Sequence, residues 1–291
     1  MKGPFSEENV LKIGKIDFLN TLPFFRSPAD CPPAGEVEFV PGTPAEINEK
    51  LKKGEIDAGI ASSFLLAACP GEYAVLPGFC IAAQRKTGSV FLYSTCPLER
   101  LDGKTIALSA KSLSAATLLK ILFRLRWNFS CDYVISPLRP DEMLSRYPAC
   151  LVIGDEALFS RPQADWGYDV GGLWWEWTRL PFCFALWTVR KSFCEKFPSR
   201  IRDFSEWLNH NLERNLKRID PLLDSYRFRN RDEKLLAGDY LAGLSYRMTG
   251  EVEKGLGLFF EYAREAGLIA RVPELEFFRE PFRAVGEKCS V

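Results

Sequence analysis

Short apolar segments alternate with an amphipathic segment at the start of the chain. The first apolar segment begins near Ile13 and ends on the polar pair Asn20-Thr21. Pro23 follows closely, and proline cannot continue the hydrogen-bonded ladder of a sheet. This alternation predicts strand–helix–strand units, hence an α/β fold with a mostly parallel sheet. The elements predicted here are a strand from Ile13, a strand at 37–40, a helix at 45–53, a strand at 56–60 and a helix from Phe64.

The first long helix carries clear signals at both ends. Thr43-Pro44-Ala45-Glu46 has the pattern of a capping box with proline at the first helical position. Gly54 suits the left-handed residue that commonly ends a helix. The sequence therefore predicts a helix that begins just after Thr43 and stops at Gly54.

Further short strands follow, and the last third of the chain is helical. From Phe197 to Ile219 the apolar residues recur at spacings of three and four, and a final helix is expected to stop at Gly267. No low-complexity linker divides the chain, so two domains would have to be joined by strand-like hinges. The predicted middle elements are strands at 74–76, 80–83, 90–94, 106–108, 133–135 and 150–153, and helices at 112–126 and 141–147.

Small polar residues recur where predicted strands end or helices begin. In open α/β sheets a ligand binds beyond the carboxyl ends of the strands, so these residues are candidates for one shared cleft. Serines at helix starts also stand beside free backbone N–H groups, which favour a carboxylate or phosphate. The pairs are Asn20-Thr21, Ser62-Ser63, Gly88-Ser89, Ser112 with Ser114, and Gly154-Asp155.

Each of these residues also has a purely structural interpretation. Serine is a preferred N-cap, and capping is compatible with contact to a ligand. Asp155 is the one acidic residue of the set, and its role stays open between a base, an acid, a partner for a hydroxyl group and a cap for the helix that follows. Sequence alone does not choose between these roles.

Charge and composition exclude several classes of partner. Lys plus Arg and Asp plus Glu each number 38, so no net charge favours nucleic acid or an acidic membrane. The first residues contain no apolar core of a secretory signal, and no apolar run is long enough to span a bilayer. We therefore expect a cytoplasmic protein with no nucleic-acid or membrane partner.

Metal and histidine chemistry are not expected. The nine cysteines are dispersed, with no C-x-x-C pair, and indicate reduced core residues. His210 is the single histidine, and it lies far in sequence from the polar strand ends. No zinc site can be assembled from one histidine and dispersed cysteines. A Ser-His-Asp triad would depend entirely on His210.

At this point an ordered set of motifs resembles one family. The set resembles the chorismate dehydratase of the futalosine route to menaquinone, from about Ile13 to Leu268. The motifs, in order, are Ile16-Asp17-Phe18-Leu19-Asn20-Thr21-Leu22-Pro23, Val40-Pro41-Gly42-Thr43-Pro44, Gly54-Glu55-Ile56-Asp57, Gly88-Ser89-Val90, Leu101-Asp102-Gly103-Lys104-Thr105, Ile153-Gly154-Asp155-Glu156-Ala157-Leu158, Glu176-Trp177-Thr178 and Leu180-Pro181-Phe182.

The resemblance implies a fold. The family has the two-lobed periplasmic-binding-protein type II fold, with a ligand cleft between the lobes, and uses it for a cytoplasmic enzyme. Carried over, lobe one comprises 1–88 and 188–291, with the C-terminal helices, and lobe two comprises 89–187. The family is similar to 1,4-dihydroxy-6-naphthoate synthase, but the Ser-Pro-Cys-Pro-Asn type of start and the functional histidine of that relative are missing here.

The resemblance also implies a reaction, the loss of water from chorismate to give 3-[(1-carboxyvinyl)oxy]benzoate without a metal or other cofactor. It ties Asn20 and Ser89 to turnover. The partner expected is a chorismate-like dicarboxylate, and a homodimer stays open. The alternative functions are a solute-binding protein for a small organic anion and the related 1,4-dihydroxy-6-naphthoate synthase. The expected substrate-binding residues are Thr21, Ser62, Ser63, Gly88, Ser112, Leu113, Ser114, Gly154 and Asp155.

Overall fold

The computed structural model describes residues 10–25 and 37–279. Within them the strands form one sheet of six strands and one of five. The strands are β1 (Leu11–Lys15), β2 (Val37–Pro41), β3 (Ala58–Ser62), β4 (Tyr73–Ala83), β5 (Val90–Ser94), β6 (Thr105–Ser109), β7 (Asp132–Ser136), β8 (Ala149–Ile153), β9 (Trp166–Asp169), β10 (Phe182–Arg190) and β11 (Leu244–Ser245).

Helices connect the strands, and most of the chain after β10 is helical. The helices are α1 (Leu22–Phe25), α2 (Pro44–Lys53), α3 (Leu65–Ala68), α4 (Ser114–Ile121), α5 (Pro140–Leu144), α6 (Asp155–Phe159), α7 (Val170–Thr178), α8 (Lys191–Lys196), α9 (Pro198–Lys217), α10 (Ile219–Leu223), α11 (Arg231–Gly243) and α12 (Gly250–Glu265).

The predicted α/β class is confirmed, but the prediction of a mostly parallel sheet is wrong because both sheets are mixed. The six-stranded sheet has the order β11-β4-β10-β3-β1-β2, and the five-stranded sheet has the order β7-β6-β8-β5-β9. In the first, β10 lies antiparallel between β3 and β4. In the second, β5 is antiparallel to both of its neighbours. A strand that returns between sheets without a crossover helix is free to run antiparallel, and strand–helix alternation does not reveal its direction.

The two strands predicted at 74–76 and 80–83 are one strand, β4. Its pairing with β10 passes from Val75 directly to Cys80, so the intervening residues bulge out of the ladder. Pro77 is exposed there and Gly78 has a φ of +85°. A bulge accommodates proline and a left-handed glycine that a regular central strand would exclude, so these residues do not end the strand.

The capping signals of α2 are confirmed. Thr43 accepts a hydrogen bond from the Glu46 backbone N–H, and the Glu46 carboxylate accepts one from Thr43 N at 2.7 Å. Gly54 closes the helix in the left-handed conformation, with a φ of +72°. These local interactions lie between neighbours in the chain, which is why sequence predicts them well.

The helix predicted to run to Arg126 is regular only to Ile121. Residues Leu122–Arg126 continue it as a π-helical turn. The widened turn brings the Arg126 guanidinium within 2.6 Å of the Leu173 carbonyl oxygen. A π-turn is a tertiary adjustment to packing, which apolar periodicity does not encode.

The division into two lobes at 88/89 and 187/188 stays a prediction. The strands before Ala83 belong to the six-stranded sheet, and β5 to β9 form the five-stranded sheet. The 187/188 position falls inside β10, whose register with β3 runs from Ala185 to Val189. Residues 182–187 therefore pair with the six-stranded sheet, although the expected boundary assigns them to lobe two.

The long helix α9 supports the turn that follows β1. Its buried Asn211 donates a hydrogen bond to the Phe24 carbonyl at 3.3 Å, and Asn215 donates one to the Pro23 carbonyl at 2.9 Å. The Phe24 ring packs edge-on against Trp187 of β10, with the ring centroids 5.7 Å apart. The C-terminal helical region thus fixes the position of the first polar strand end.

Candidate functional site

Residues from both sheets line one cleft. It contains about 710 Å³ of space free of protein atoms, part of it open to solvent. That size suits a small organic ligand. The sequence-predicted residues that line it are Asn20, Thr21, Ser62, Ser89, Ser112, Leu113, Ser114 and Gly154. The structure places the other predicted residues, Ser63, Gly88 and Asp155, behind this lining.

Asn20 enters the cleft from a short 3-10 turn, Leu19–Thr21, that follows β1. The Thr21 hydroxyl stabilises this turn by donating to the Ile16 or the Phe18 carbonyl, at 2.6 and 2.8 Å. Thr21 therefore lines the cleft while its single proton serves the turn. The Asn20 side-chain oxygen is buried and has no hydrogen-bond partner in the described part of the chain. It is an unsatisfied acceptor on a residue that lines the cleft.

Ser89 lies on a loop that a single carboxylate organises. Asp169 accepts hydrogen bonds from the backbone N–H of Thr87 at 2.9 Å and of Gly88 at 2.7 Å. The same carboxylate accepts from Gly172 N at 2.8 Å and so caps α7. Gly88 has a φ of +73°, which glycine adopts without strain. Gly88 thus shapes the loop, and Asp169 aligns it with the start of α7.

A tyrosine from the C-terminal helices lines the cleft beside Ser89. Tyr240 of α11 is 7% exposed and lines the cleft, and its hydroxyl oxygen lies 2.8 Å from Ser89 Oγ. Burial raises the pKa of Tyr240 well above its ordinary value, although hydrogen bonding to Ser89 and Asn20 opposes the rise. The phenol therefore keeps its proton at neutral pH and is able to donate a hydrogen bond.

Three serines join the two sheets beside the cleft. Ser114 Oγ, at the start of α4, lies 2.5 Å from Ser62 Oγ, 3.1 Å from Ser63 Oγ and 2.8 Å from the Phe184 carbonyl oxygen. Ser63 also donates to the Cys183 carbonyl at 2.8 Å. If Ser114 and Ser63 donate to these carbonyls, Ser62 supplies the proton for the Ser62–Ser114 bond. These serines therefore hold the sheets together, which the sequence interpretation as caps or ligand donors did not include.

The first turn of α4 combines free donors with a positive charge. The backbone N–H groups of Ser114 and Ala115 have no acceptor within residues 10–25 and 37–279, and both residues line the cleft. Ser112 Oγ accepts from Ala116 N at 3.2 Å, so this serine pairs one donor of the first turn, although Leu113 is the N-cap residue. Lys111 is the one charged residue among the described lining residues. A helix N-terminus beside an ammonium group is suited to a carboxylate.

The lysine is not committed to a strong ion pair. Lys111 Nζ lies 3.7 Å from the Glu156 carboxylate, and both side chains are partly exposed. Exposed pairs of this kind are worth about 0–1 kcal/mol, so a ligand carboxylate competes with Glu156 at little cost. Asn48 lies across the cleft; its oxygen accepts from Ser62 N at 3.1 Å, and its amide nitrogen has no protein acceptor in the described chain.

Asp155 is neither an N-cap nor part of the cleft lining. Its carboxylate accepts hydrogen bonds from Leu19 N at 3.1 Å and from the Tyr226 hydroxyl at 2.7 Å. Burial raises the pKa of Asp155, and the bonds from Tyr226 and Leu19 partly offset that rise. Of the roles left open from sequence, partner to a hydroxyl group is the one that the geometry matches. Because Leu19 precedes Asn20, the carboxylate also orders the turn that presents Asn20.

Gly154 meets an aromatic ring across the cleft. Its φ of +72° and ψ of −152° lie in a region that is essentially restricted to glycine. A Cβ at this position would stand 2.7 Å from Phe18 Cε2. Gly154 N also donates to the Ser89 carbonyl at 2.8 Å. Glycine is therefore required here both by backbone conformation and by contact with Phe18.

The single histidine lies away from the cleft. His210 is exposed on α9 and is absent from the residues that line the cleft. Over the two described ranges, no group of three His, Cys, Asp or Glu side chains is arranged to hold a metal ion. Within the same ranges, no helix combines the length and apolar character needed to cross a membrane.

A family model for menaquinone biosynthesis matches residues 11–265. The chain belongs to the menaquinone biosynthesis family. Among curated relatives of the family, it is similar to the chorismate dehydratase of Thermus thermophilus, with 26% identity over 240 residues that cover 75% of this chain and 83% of that protein. The resemblance derived from the ordered motifs is thereby confirmed.

Solved structures confirm the periplasmic-binding-protein-like fold predicted for this family member. A protein from Archaeoglobus fulgidus aligns with a TM-score of 0.67 at 20% identity, covering 91% of this chain and 100% of that chain. The ligand-binding component of an ABC-type import system from Staphylococcus aureus aligns with a TM-score of 0.61 at 13% identity, covering 92% of this chain and 94% of that chain. These identities support the fold alone.

Among the polar residues that line the cleft, four were not predicted. Asn48 and Tyr240 lie inside helices, Lys111 on a loop and Thr87 just before the predicted Gly88-Ser89 pair. Asn48 carries a detectable signal, because it is a polar residue on the buried face of the amphipathic helix α2. Tyr240 carries none, because tyrosine in a helix is an ordinary core residue. Only the packing of α11 against the cleft reveals its position.

Proposed function

We propose that this protein converts chorismate to 3-[(1-carboxyvinyl)oxy]benzoate by removal of water, and that it acts as a hydro-lyase. Membership of the menaquinone biosynthesis family and similarity to a chorismate dehydratase support this proposal. The observation that carries it is that Asn20, Ser89 and Tyr240 line the same cleft as the first turn of α4 and Lys111, with the Ser89 and Tyr240 hydroxyl oxygens 2.8 Å apart.

The proposed reaction needs orientation more than reactive groups. The hydrogen on the ring carbon that bears the enolpyruvyl ether is acidified through the conjugated ring carboxylate. Its removal gives an extended enolate, and the hydroxyl group on the neighbouring carbon then leaves, so that proton and hydroxide depart as water. The ring becomes aromatic, which drives the reaction without a change in oxidation state. Preorganised hydrogen-bond donors are the contribution that such a reaction asks of the protein.

In the proposed complex, the ring carboxylate lies at the first turn of α4 and Lys111. Asn48 contributes its unpaired amide nitrogen from the facing side of the cleft. The departing hydroxyl group lies between the Asn20 side-chain oxygen, to which it donates, and Ser89, from which it accepts. In this arrangement the substrate hydroxyl group supplies a hydrogen bond to the buried Asn20 oxygen, which has no partner in the described chain.

We assign the base to the substrate itself. Among the described lining residues there is no Asp, Glu or His. Asp155 lies behind the lining, with its carboxylate already bonded to Leu19 and Tyr226. The enolpyruvyl carboxylate of chorismate stands close to the hydrogen that must be removed, so it takes the proton while Asn20 and Ser89 hold the departing hydroxyl group in position.

Turnover of chorismate tests the proposal directly. The protein is incubated with chorismate, and an aromatic ultraviolet spectrum together with a product lighter by one water is expected; a blank without protein measures spontaneous decay. Asn20→Ala and Ser89→Ala are expected to lower kcat at saturating chorismate, whereas Asp155→Asn retains part of it. If Asp155→Asn alone is inactive and the other two lose only affinity, a protein base acts instead.

The alternative is a solute-binding protein for a small organic anion, because the fold is shared with transport proteins. Calorimetric titration separates the two functions. Saturable binding of chorismate without any product would support the binding protein and contradict the lyase. Product formation from chorismate would exclude the 1,4-dihydroxy-6-naphthoate synthase alternative as the main activity.

A further inference from the structure

We infer that Tyr240 is a positioning residue that directs the Ser89 hydroxyl proton into the cleft. The inference rests on the proposed dehydration and adds to it a residue from α11. Tyr240 is the one protein partner of the Ser89 hydroxyl in the described chain, with the two oxygens 2.8 Å apart. The Tyr240 ring also packs against Gly88: Tyr240 Cδ2 lies 3.5 Å from the position that a Cβ on Gly88 would occupy.

The acidity of the phenol sets the direction of this hydrogen bond. Each hydroxyl has one proton, so the oxygen that accepts keeps its own proton free. A phenol is a stronger hydrogen-bond donor and a weaker acceptor than an aliphatic hydroxyl, because its oxygen lone pair is delocalised into the ring. We therefore assign Tyr240 as the donor and Ser89 as the acceptor. The Ser89 proton is then free to point at the ligand.

Asn20 reinforces this direction. Its side chain lies close enough to the phenol oxygen to favour the phenolate by hydrogen bonding, which places the amide N–H toward Tyr240. The Asn20 oxygen then faces away from the phenol and has no partner in residues 10–25 and 37–279. One end of the cleft thus presents a donor on Ser89 and an acceptor on Asn20, both oriented by one tyrosine.

This pair matches the leaving group of the proposed reaction. A hydroxyl group bound between Ser89 and Asn20 accepts from the first and donates to the second. As the carbon–oxygen bond breaks, negative charge grows on the leaving oxygen, and the bond from Ser89 strengthens. Without Tyr240, the Ser89 hydroxyl is free to rotate toward other acceptors, so the donor is present but no longer oriented.

Tyr240→Phe removes the phenol oxygen and keeps the ring on Gly88. We expect kcat for chorismate to fall about tenfold, the worth of one hydrogen bond, while KM changes little. Tyr246→Phe is the matched control. Tyr246 is also buried, its ring packs against Phe24, and its hydroxyl has no partner in the described chain. Its variant should keep the wild-type kcat.

A double-mutant cycle separates positioning from a structural role. Since Tyr240 acts through Ser89, Tyr240→Phe combined with Ser89→Ala should be no slower than Ser89→Ala alone. Thermal unfolding of each variant, within a few degrees of wild type, establishes that the fold is kept. Wild-type kcat in Tyr240→Phe, or a full additional loss in the double variant, would overturn this inference alone. An inactive wild type would overturn the proposed function together with it.

Discussion

Ser62 Oγ and Ser114 Oγ lie 2.5 Å apart, although Ser62 ends a strand of the six-stranded sheet and Ser114 begins the helix that follows β6 of the five-stranded sheet. The bond links polar groups from both sheets at the cleft. Two serines 52 residues apart in the chain, one at the end of a strand and one at the start of a helix, are therefore partners. Their contact gives the first of four predictions.

Ser114→Ala should destabilise the protein and weaken substrate binding. The substitution leaves the Ser62 proton without its acceptor, and the Phe184 carbonyl keeps only the hydrogen bond from Ser63 N. We expect the free energy of unfolding in urea to fall by about 1–3 kcal/mol and KM for chorismate to rise. Ser130→Ala is the control, since Ser130 is exposed and distant from the cleft. Equal stability of the two variants would contradict an interaction between the sheets.

Lys111→Met should raise KM for chorismate by about tenfold with little change in kcat, because it removes a uniform electrostatic contribution to carboxylate binding. The methionine keeps the length of the side chain but not its charge. The effect should shrink at high salt, because Lys111 is partly exposed. Lys104→Met, at an exposed site outside the lining, is the control. A lower kcat at unchanged KM would place Lys111 in the chemical step instead.

Gly154→Ala should be strongly harmful to activity. The new methyl group would stand 2.7 Å from the Phe18 ring, and the backbone conformation adds about 1–3 kcal/mol of strain. Gly78→Ala is the matched control, because Gly78 also has a positive φ, of +85°, but no atom lies within 4 Å of the added carbon. We expect both variants to lose stability and only Gly154→Ala to lose turnover. Similar turnover in the two would show that the contact with Phe18 is dispensable.

The stability of the protein should depend on pH through Asp155. Burial raises the pKa of Asp155 in the folded protein above its ordinary value of 3.8, so the folded protein binds this proton more tightly than the unfolded chain does. The contribution to stability is then complete below pH 3.8 and is lost as pH rises through the folded-state pKa. In urea titrations, the difference between wild type and Asp155→Asn should therefore decrease with rising pH across this window.

Tyr226→Phe sharpens the same measurement. The Tyr226 hydroxyl favours the ionised form of Asp155. Its removal should therefore raise the pKa of Asp155 further and extend the pH window to higher pH. An increase of the wild-type advantage with rising pH would show the reverse sign. In that case the bonds from Leu19 and Tyr226 outweigh the effect of burial.

Local chemistry alone predicted a large part of this molecule. The capping box at Thr43, the stop at Gly54, Asn20 after the first strand and Ser89 just before β5 are properties of a few consecutive residues. Such features are encoded by neighbours in the chain, because backbone geometry and hydrogen bonding act over one turn. The ordered motifs then identified the family and its fold.

Tertiary structure alone decided how these residues act. Asp155 finds its partners at Leu19 and Tyr226, and Tyr240 reaches Ser89 from a helix 151 residues further along the chain. The antiparallel direction of β10 likewise follows from its return between two sheets. A hydrogen bond depends on where two atoms meet, and sequence spacing does not report distance once the chain has folded back on itself.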